Sequence, residues 1–395
     1  MFKFLKINIQ KLILLLYAFT LFIMFHGKIF FIGAHLLLII IFFLSLLTYK
    51  LDDFFVKKPN ILLLPLTLFC IQITIGIFYT NAMNYGSHKV LLFISLVIPS
   101  LLISGVTLKL NKYIFVSIIF LMLAVFNEFG SPLSILNEIT SFYRLGSEDN
   151  NPIALSRGLG LGFISGLFLL KPELSKIKKI MIFVLIFLFF IYMILTASKG
   201  PIIALLISLI FYFLFNPYKK KITINNKYVL LVFIMLGFLM VKYFRLILSP
   251  FDFTFIENRT KGGSFSSRLE LYEILLNDFY NSGVFNLLFG KGTGNYGFLY
   301  SGMDQAEYPH NMILEVLYEN GIIGLIILLT IIFVLLISFF KKKIIKEKMY
   351  LFVICIYFLI NSFMTADISG NIFFFIFGYF ALSRNTRLSL NDNLN

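Results

Sequence analysis

The stretch "YPHNMILEVLYENGIIG" sets His310, Asn311, Glu315 and Glu319 just ahead of a long apolar run. An imidazole titrates close enough to neutrality to take a proton from a hydroxyl group. Pro309 suits the first position of a helix, which would put His310 in the first turn, at the positive end of the helix dipole. That end disfavours imidazolium and attracts an anionic group such as a phosphate. Asn311, Glu315 and Glu319 recur every four residues and so share one face that descends into the apolar run. Such a stripe is expected to face a cavity or a neighbouring helix, because ionisable groups are costly against lipid. Glu315, one turn below, would orient His310 or a nearby cation; the five-residue offset puts it on a different face from His310, which favours pairing with an arginine. The plainer alternative is that His310 only caps an interfacial helix.

Cations that could meet an anion are few. Arg157 lies in "NNPIALSRGLGLG", within a span that begins near Pro152, and Lys199 lies in "LTASKGPIIALL", at a tight turn. Arg268 opens "SSRLELYEILLNDFY", an amphipathic pattern with Leu269, Tyr272, Leu276 and Phe279 on one stripe and a capping-box start at Ser267 and Glu270. A cation in that first turn opposes its own helix dipole. For Arg144 and Arg245 a part in such a site stands about even with loop or interface roles. Together such side chains could seat a diphosphate by charge-assisted hydrogen bonds. Lys28, Lys89 and Lys242 flank spans and read as snorkelling anchors. "GKGTGNYGF" reads as turn chemistry, since no strand–loop–helix surrounds it. Four scattered histidines, and Cys70 and Cys355 inside apolar runs, give no metal spacing and no disulfide framework. No metal and no cofactor are expected.

The elements that must position these residues are membrane spans. Of 395 residues, 59% are hydrophobic and 13% charged, too little polar surface for a soluble domain. Continuous apolar runs imply an all-α polytopic membrane protein of about 12 transmembrane helices, not a barrel. The expected spans are 12–26, 29–49, 61–80, 90–107, 113–127, 153–170, 180–197, 200–216, 229–247, 312–339, 349–366 and 370–383. The first run follows a basic stretch without a small-residue cleavage site and reads as an uncleaved helix. With both termini cytoplasmic, inside segments hold 23 of the 34 basic residues and 5 of the 19 acidic ones. The net charge of +15 therefore encodes topology, not a nucleic-acid partner.

Residues 1–247 then form spans one to nine with an outer loop at 127–151. Residues 248–311 form a large extracytoplasmic loop, and residues 312–395 the last three spans and a cytoplasmic tail. Long loops of this kind carry function. No internal repeat is visible, which counts against an inverted-repeat transporter.

Three blocks, "SSRLELYEILLNDFY", "LLFGKGTGNYGFLY" and "YPHNMILEVLYENGIIGLIILL", resemble the carboxy-terminal signature of the bacterial O-antigen polymerase and O-antigen ligase superfamily. His310, Asn311, Leu314, Glu315, Glu319, Gly321 and Gly324 match its last motif. "TASKGPIIALL" is similar to the family's S-R-G span start, with Lys199 where arginine is usual, and "DNNPIALSR" resembles a segment common in the polymerases. The first five spans match only in hydropathy.

The resemblance implies metal-independent glycan transfer outside the bacterial inner membrane, from undecaprenyl diphosphate to a sugar hydroxyl. The acceptor would be another lipid-linked repeat unit for a polymerase, or lipid A–core for a ligase. It implies His310 as general base, with Arg268 and Glu315 in the catalytic group. Arg157, Lys199, Asn311 and Arg245 would bind the diphosphate. Membrane lipids and a chain-length regulator protein are the further partners it allows. Two other classes stay open: a flippase for lipid-linked glycan, and a metal-dependent polyprenyl-phosphate glycosyltransferase, for which Glu148 and Asp149 are the sole candidate seat.

Overall fold

Asn151 and Pro152 start the helix around which several others pack. The Asn151 side chain accepts from the Ile153 amide at 2.9 Å, and Pro152 takes the first helical position. A computed structural model describes residues 2–26, 40–41, 43–44, 60–103, 110–129, 151–196, 198–215, 266–341 and 343–383 of the chain. In chain order its helices are α1 (Phe2–His26), α2 (Leu63–Ile75, continued by a 3-10 turn at Gly76–Tyr79), α3 (Met83–Ile103), α4 (Leu110–Phe129) and α5 (Pro152–Leu169). There follow α6 (Lys176–Leu195), α7 (Lys199–Phe215), α8 (Ser266–Tyr280), α9 (Val284–Phe289) and α10 (Tyr296–Ser301). The last are α11 (Met312–Phe340), α12 (Met349–Ser362) and α13 (Ile372–Leu382).

Among the described residues there is no strand, and four helices are long and apolar enough to cross a membrane: Leu110–Asn127 within α4, then α5, α6 and α11. Shorter apolar helices lie at Leu12–Phe25, Leu63–Tyr79, Lys199–Phe215 and Ile372–Leu382. Most of the expected span 29–49 and all of 229–247 fall outside the described residues, as do Lys28, Arg144, Lys242, Arg245, Glu148 and Asp149.

The bundle is tight because α5 carries glycines on its packing faces. A Cβ on Gly158 would meet Phe25 of α1 and Leu121 of α4, and one on Gly160 would meet the Tyr357 hydroxyl of α12. Small residues let apolar helices approach closely where no hydrophobic drive separates lipid from protein. Phenylalanine fills the remainder. Phe375 of α13 packs against Phe69 of α2 and Phe93 of α3, at ring separations of 5.3 and 5.1 Å.

Helix α11 is broken. Gly321 sits at φ 68°, ψ −169°, so the carbonyls just before it lose their helical donors. The glycine-rich segment after α9 replaces them. The amides of Lys291 and Gly292 donate to the Tyr318 and Glu319 carbonyls at 2.9 and 3.0 Å, and Gln72 of α2 donates to the Asn320 carbonyl at 3.2 Å. A Cβ on Gly290 would meet the Glu319 carbonyl and the Asn320 amide, so only glycine allows this approach. Irregular backbone of this kind is tolerated at membrane depth only where protein satisfies it. The glycines of "GKGTG" thus act as turn and packing residues.

A second, smaller core binds α8 to the mouth of α11. Leu275, Phe279, Tyr296 and Tyr318 are its buried members. The buried stripe of α8 is rotated by about one residue from the expected one: Leu275 is buried and Leu269 is exposed. Tyr318 donates to Asp278 at 2.8 Å, and the Lys291 ammonium bridges the same carboxylate at 2.9 Å, which fixes the axis of α8. Asp304 accepts from the amides of Asn84 and Tyr85 at 2.7 and 3.0 Å, and so caps the start of α3.

Candidate functional site

His310 is not in the first turn of α11. The helix begins at Met312, and Asn311 is its N-cap, with the side-chain oxygen accepting from the Ile313 and Leu314 amides at 3.0 and 3.3 Å. Pro309 therefore lies three residues before the helix, and His310 takes a left-handed backbone, φ 56°. Asparagine is a stronger N-cap than proline is a start signal here, because its side chain satisfies two amide donors at once. The Asn311 amide group also lies beside the Tyr272 hydroxyl of α8.

The imidazole of His310 is half-buried, edge-on to the Tyr308 ring at 4.7 Å, and its Nδ1 is buried without a hydrogen-bond partner. Burial, and then the positive charge of Arg268, hold its pKa below the usual histidine value. The ring is therefore neutral at pH 7. The cause is desolvation and a neighbouring guanidinium, not the helix dipole of the sequence argument.

Arg268, near the start of α8, reaches the Met364 carbonyl at 3.4 Å. Arg157 is buried, 4% exposed. It donates to the Gly370 carbonyl at 2.8 Å and the Asn371 amide oxygen at 2.9 Å. Its guanidinium lies over the Phe358 ring at 5.3 Å, and its Nε is buried with no partner. Lys199 is exposed at the start of α7. A Cβ on the next residue, Gly200, would come within 3.3 Å of Thr365 and 3.7 Å of Met364. Arg157, Arg268 and the start of α7 thus converge on one segment, residues 363–371, between α12 and α13. Nothing in the sequence reading singled that segment out.

Glu315 does not pair with an arginine. Helix α3 starts at Met83, earlier than the expected 90, and carries Lys89 inward. Lys89 donates to Glu315 at 2.6 Å and to both Glu319 oxygens at 2.9 Å. Lys89 is 2% exposed and both carboxylates 0%. It is no snorkelling anchor but the buried counter-ion of the α11 stripe. The Lys89 ammonium also lies 5.0 Å from the centre of the Tyr85 ring. The Tyr85 hydroxyl donates to Asp367 at 2.9 Å. Glu315 Oε2 remains buried and unpartnered.

The site therefore has two tiers. At the mouth lie Arg268, His310, Tyr308 and Lys199; beneath them lie Arg157, Asp367, Tyr85, Lys89 and Glu315. Tyr308, with its pKa raised by burial and by the charge of Asp367, keeps its phenolic proton as a donor. Tyr308, Tyr85, Asp367 and Asn371 escaped the sequence reading. The signal that could have found the last two is the alternation Thr365, Asp367, Ser369, Asn371 between two strongly apolar helices.

This arrangement defines a class: an all-helical membrane protein with a cationic mouth, a neutral imidazole and a buried ionic brace beneath. Residues 183–329 match the family model described as O-antigen ligase, which supports a place in the O-antigen polymerase and ligase superfamily. Members of that family are glycosyltransferase-type enzymes. No curated protein matches the chain. The matched range takes in Lys199, Arg268, His310, Asn311, Glu315 and Glu319; Lys89, Arg157 and Asp367 lie outside it.

Proposed function

We propose that the protein is a metal-independent glycan polymerase of the extracytoplasmic face of a bacterial inner membrane, acting on saccharides carried by undecaprenyl diphosphate. The observation that carries this reading is the pairing of a neutral, partly buried imidazole, its Nδ1 unpartnered, with a guanidinium close enough to depress its pKa. In the proposed step the hydroxyl oxygen of an acceptor sugar bonds to the anomeric carbon while the bond from that carbon to the diphosphate oxygen breaks. The bonding pair leaves with the diphosphate, and the hydroxyl proton passes to the imidazole of His310. Arg268 and Lys199 meet the leaving group's charge from the mouth, and Arg157 supplies positive potential from below with one free N–H at Nε. Glu315, tied to Lys89, holds the start of α11 and hence His310 in place; it is a positioning residue. Tyr308 walls the imidazole and excludes water from one face.

A ligase that passes the finished chain to lipid A–core is the second reading, favoured by the description of the matching family model. Deletion of the gene separates the two. A surface lipid bearing a single repeat unit supports the polymerase. Uncapped core, with long chains accumulating on the carrier lipid, means ligase. Purified protein that elongates lipid-linked units in detergent, where there are no compartments, removes the flippase reading.

A further inference from the structure

Arg157 and Arg268 belong to different helices, α5 and α8, yet both guanidinium groups donate to the same segment, residues 363–371. Arg268 takes the Met364 carbonyl at 3.4 Å; Arg157 takes the Gly370 carbonyl and the Asn371 amide oxygen at 2.8 and 2.9 Å. That segment is folded on two side chains. Asn371, fully buried, donates to the carbonyls of Thr365 and Asp367 at 2.8 and 2.9 Å while its oxygen receives Arg157. Asp367 accepts from the Gly370 amide and the Ser369 hydroxyl, each at 2.7 Å. Its remaining contact leaves the segment: the Tyr85 hydroxyl of α3, at 2.9 Å.

Every polar atom of the Asn371 and Asp367 side chains is committed, so the segment has little freedom to change its span. A buried, fully satisfied network of this kind fixes one geometry. Through Tyr85 it is tied to α3, which carries Lys89, and Lys89 in turn grips α11 just below His310. The left-handed backbone of Ala366, φ 59°, marks where the chain is bent to present Met364 and Gly370 toward the two arginines.

We propose that residues 363–371 act as the spacer of the anion site: Asn371 and Asp367 are positioning residues that set the separation of Arg157 and Arg268, and thereby make the site selective for a diphosphate over a single phosphate. This rests on the diphosphate reading given above. Neither residue touches the substrate. Their effect is geometric, since two cations held at a fixed distance reward a ligand whose two charges match it and give no such reward to a ligand with one.

The test uses the full chain purified in detergent, with inorganic diphosphate and inorganic phosphate as probes in calorimetric titrations. The wild-type protein should bind diphosphate more tightly than phosphate. Tyr85→Phe, which frees Asp367 from α3, and Asn371→Ser, which shortens the link to Arg157, should each lower that ratio by about tenfold, equivalent to about 1.4 kcal/mol. Arg157→Lys, which lacks the two-pronged donor, should weaken diphosphate binding more than phosphate binding. If the wild type shows no preference for diphosphate, the diphosphate reading fails and the spacer with it. If the wild type shows the preference and folded Tyr85→Phe keeps the ratio, the spacer alone is refuted. Should Asn371→Ser not fold, Tyr85→Phe decides, since it removes one oxygen at the edge of the network and leaves the Asn371 bonds in place.

Discussion

Replacing Lys89 with methionine keeps the length of the side chain and deletes its charge. Lys89 is 2% exposed and makes contacts of 2.6 and 2.9 Å with two carboxylates that are themselves 0% exposed. Removing one partner from a buried ion pair leaves the other charge uncompensated and costs about 3–5 kcal/mol, because water cannot re-enter to solvate it. Here two carboxylates would be stranded side by side, so the upper part of that range applies. The chain has no tryptophan, but Cys355 is buried in α12, so a thiol-reactive dye reports unfolding as that thiol becomes accessible. At one heating rate in detergent, Lys89→Met should show a midpoint several degrees below that of the wild type. The triple variant Lys89→Met, Glu315→Gln, Glu319→Gln should regain much of the loss, since its amides carry no charge to strand. A single variant as stable as the wild type, or a triple variant no better than the single, would refute the buried-brace reasoning.

Gly321→Ala should prevent accumulation of folded protein. Its methyl would meet the Leu288 carbonyl and the Gly290 amide on a backbone at φ 68°, and immunoblots of membrane fractions check this. Asp304→Ala should cost about 1 kcal/mol by uncapping α3, read as a modest fall in the same dye midpoint. The pH profile of transfer should have its acid limb below the usual histidine value, since burial and Arg268 both disfavour imidazolium. Above that limb the ring is neutral and competent; activity falls as the pH drops through the lowered pKa. Arg268→Gln should slow transfer and also move the limb upward, because one of the two depressing causes is gone.

The helical class and the mouth of α11 were legible because both are written in local patterns: apolar runs and the H-N-x-x-L-E spacing. Lys89 was not. Its partners lie 226 and 230 residues away, and a lysine near the edge of an apolar run looks the same whether it snorkels or pairs. The break at Gly321 was hidden for a related reason. Glycine is common in apolar helices, and the two amides that donate to the freed carbonyls come from a segment before the helix. The first turn of α11 was placed three residues early because Pro309 outweighed Asn311, although asparagine followed by an apolar periodic run is itself a start signal. Residues 363–371 were passed over as a short connection, since their role depends on arginines from α5 and α8 that only the folded chain brings to them.

The central claim is that the imidazole of His310 removes the acceptor's proton. Asparagine tolerates the left-handed backbone at this position, so His310→Asn tests the ring without breaking the fold. The measurement is elongation of lipid-diphosphate-linked repeat units by purified protein in detergent, with the dye midpoint recorded alongside. The account predicts an unchanged midpoint and transfer slowed by about 10²–10⁴-fold. A full ladder of products from folded His310→Asn, at the wild-type rate, would contradict it.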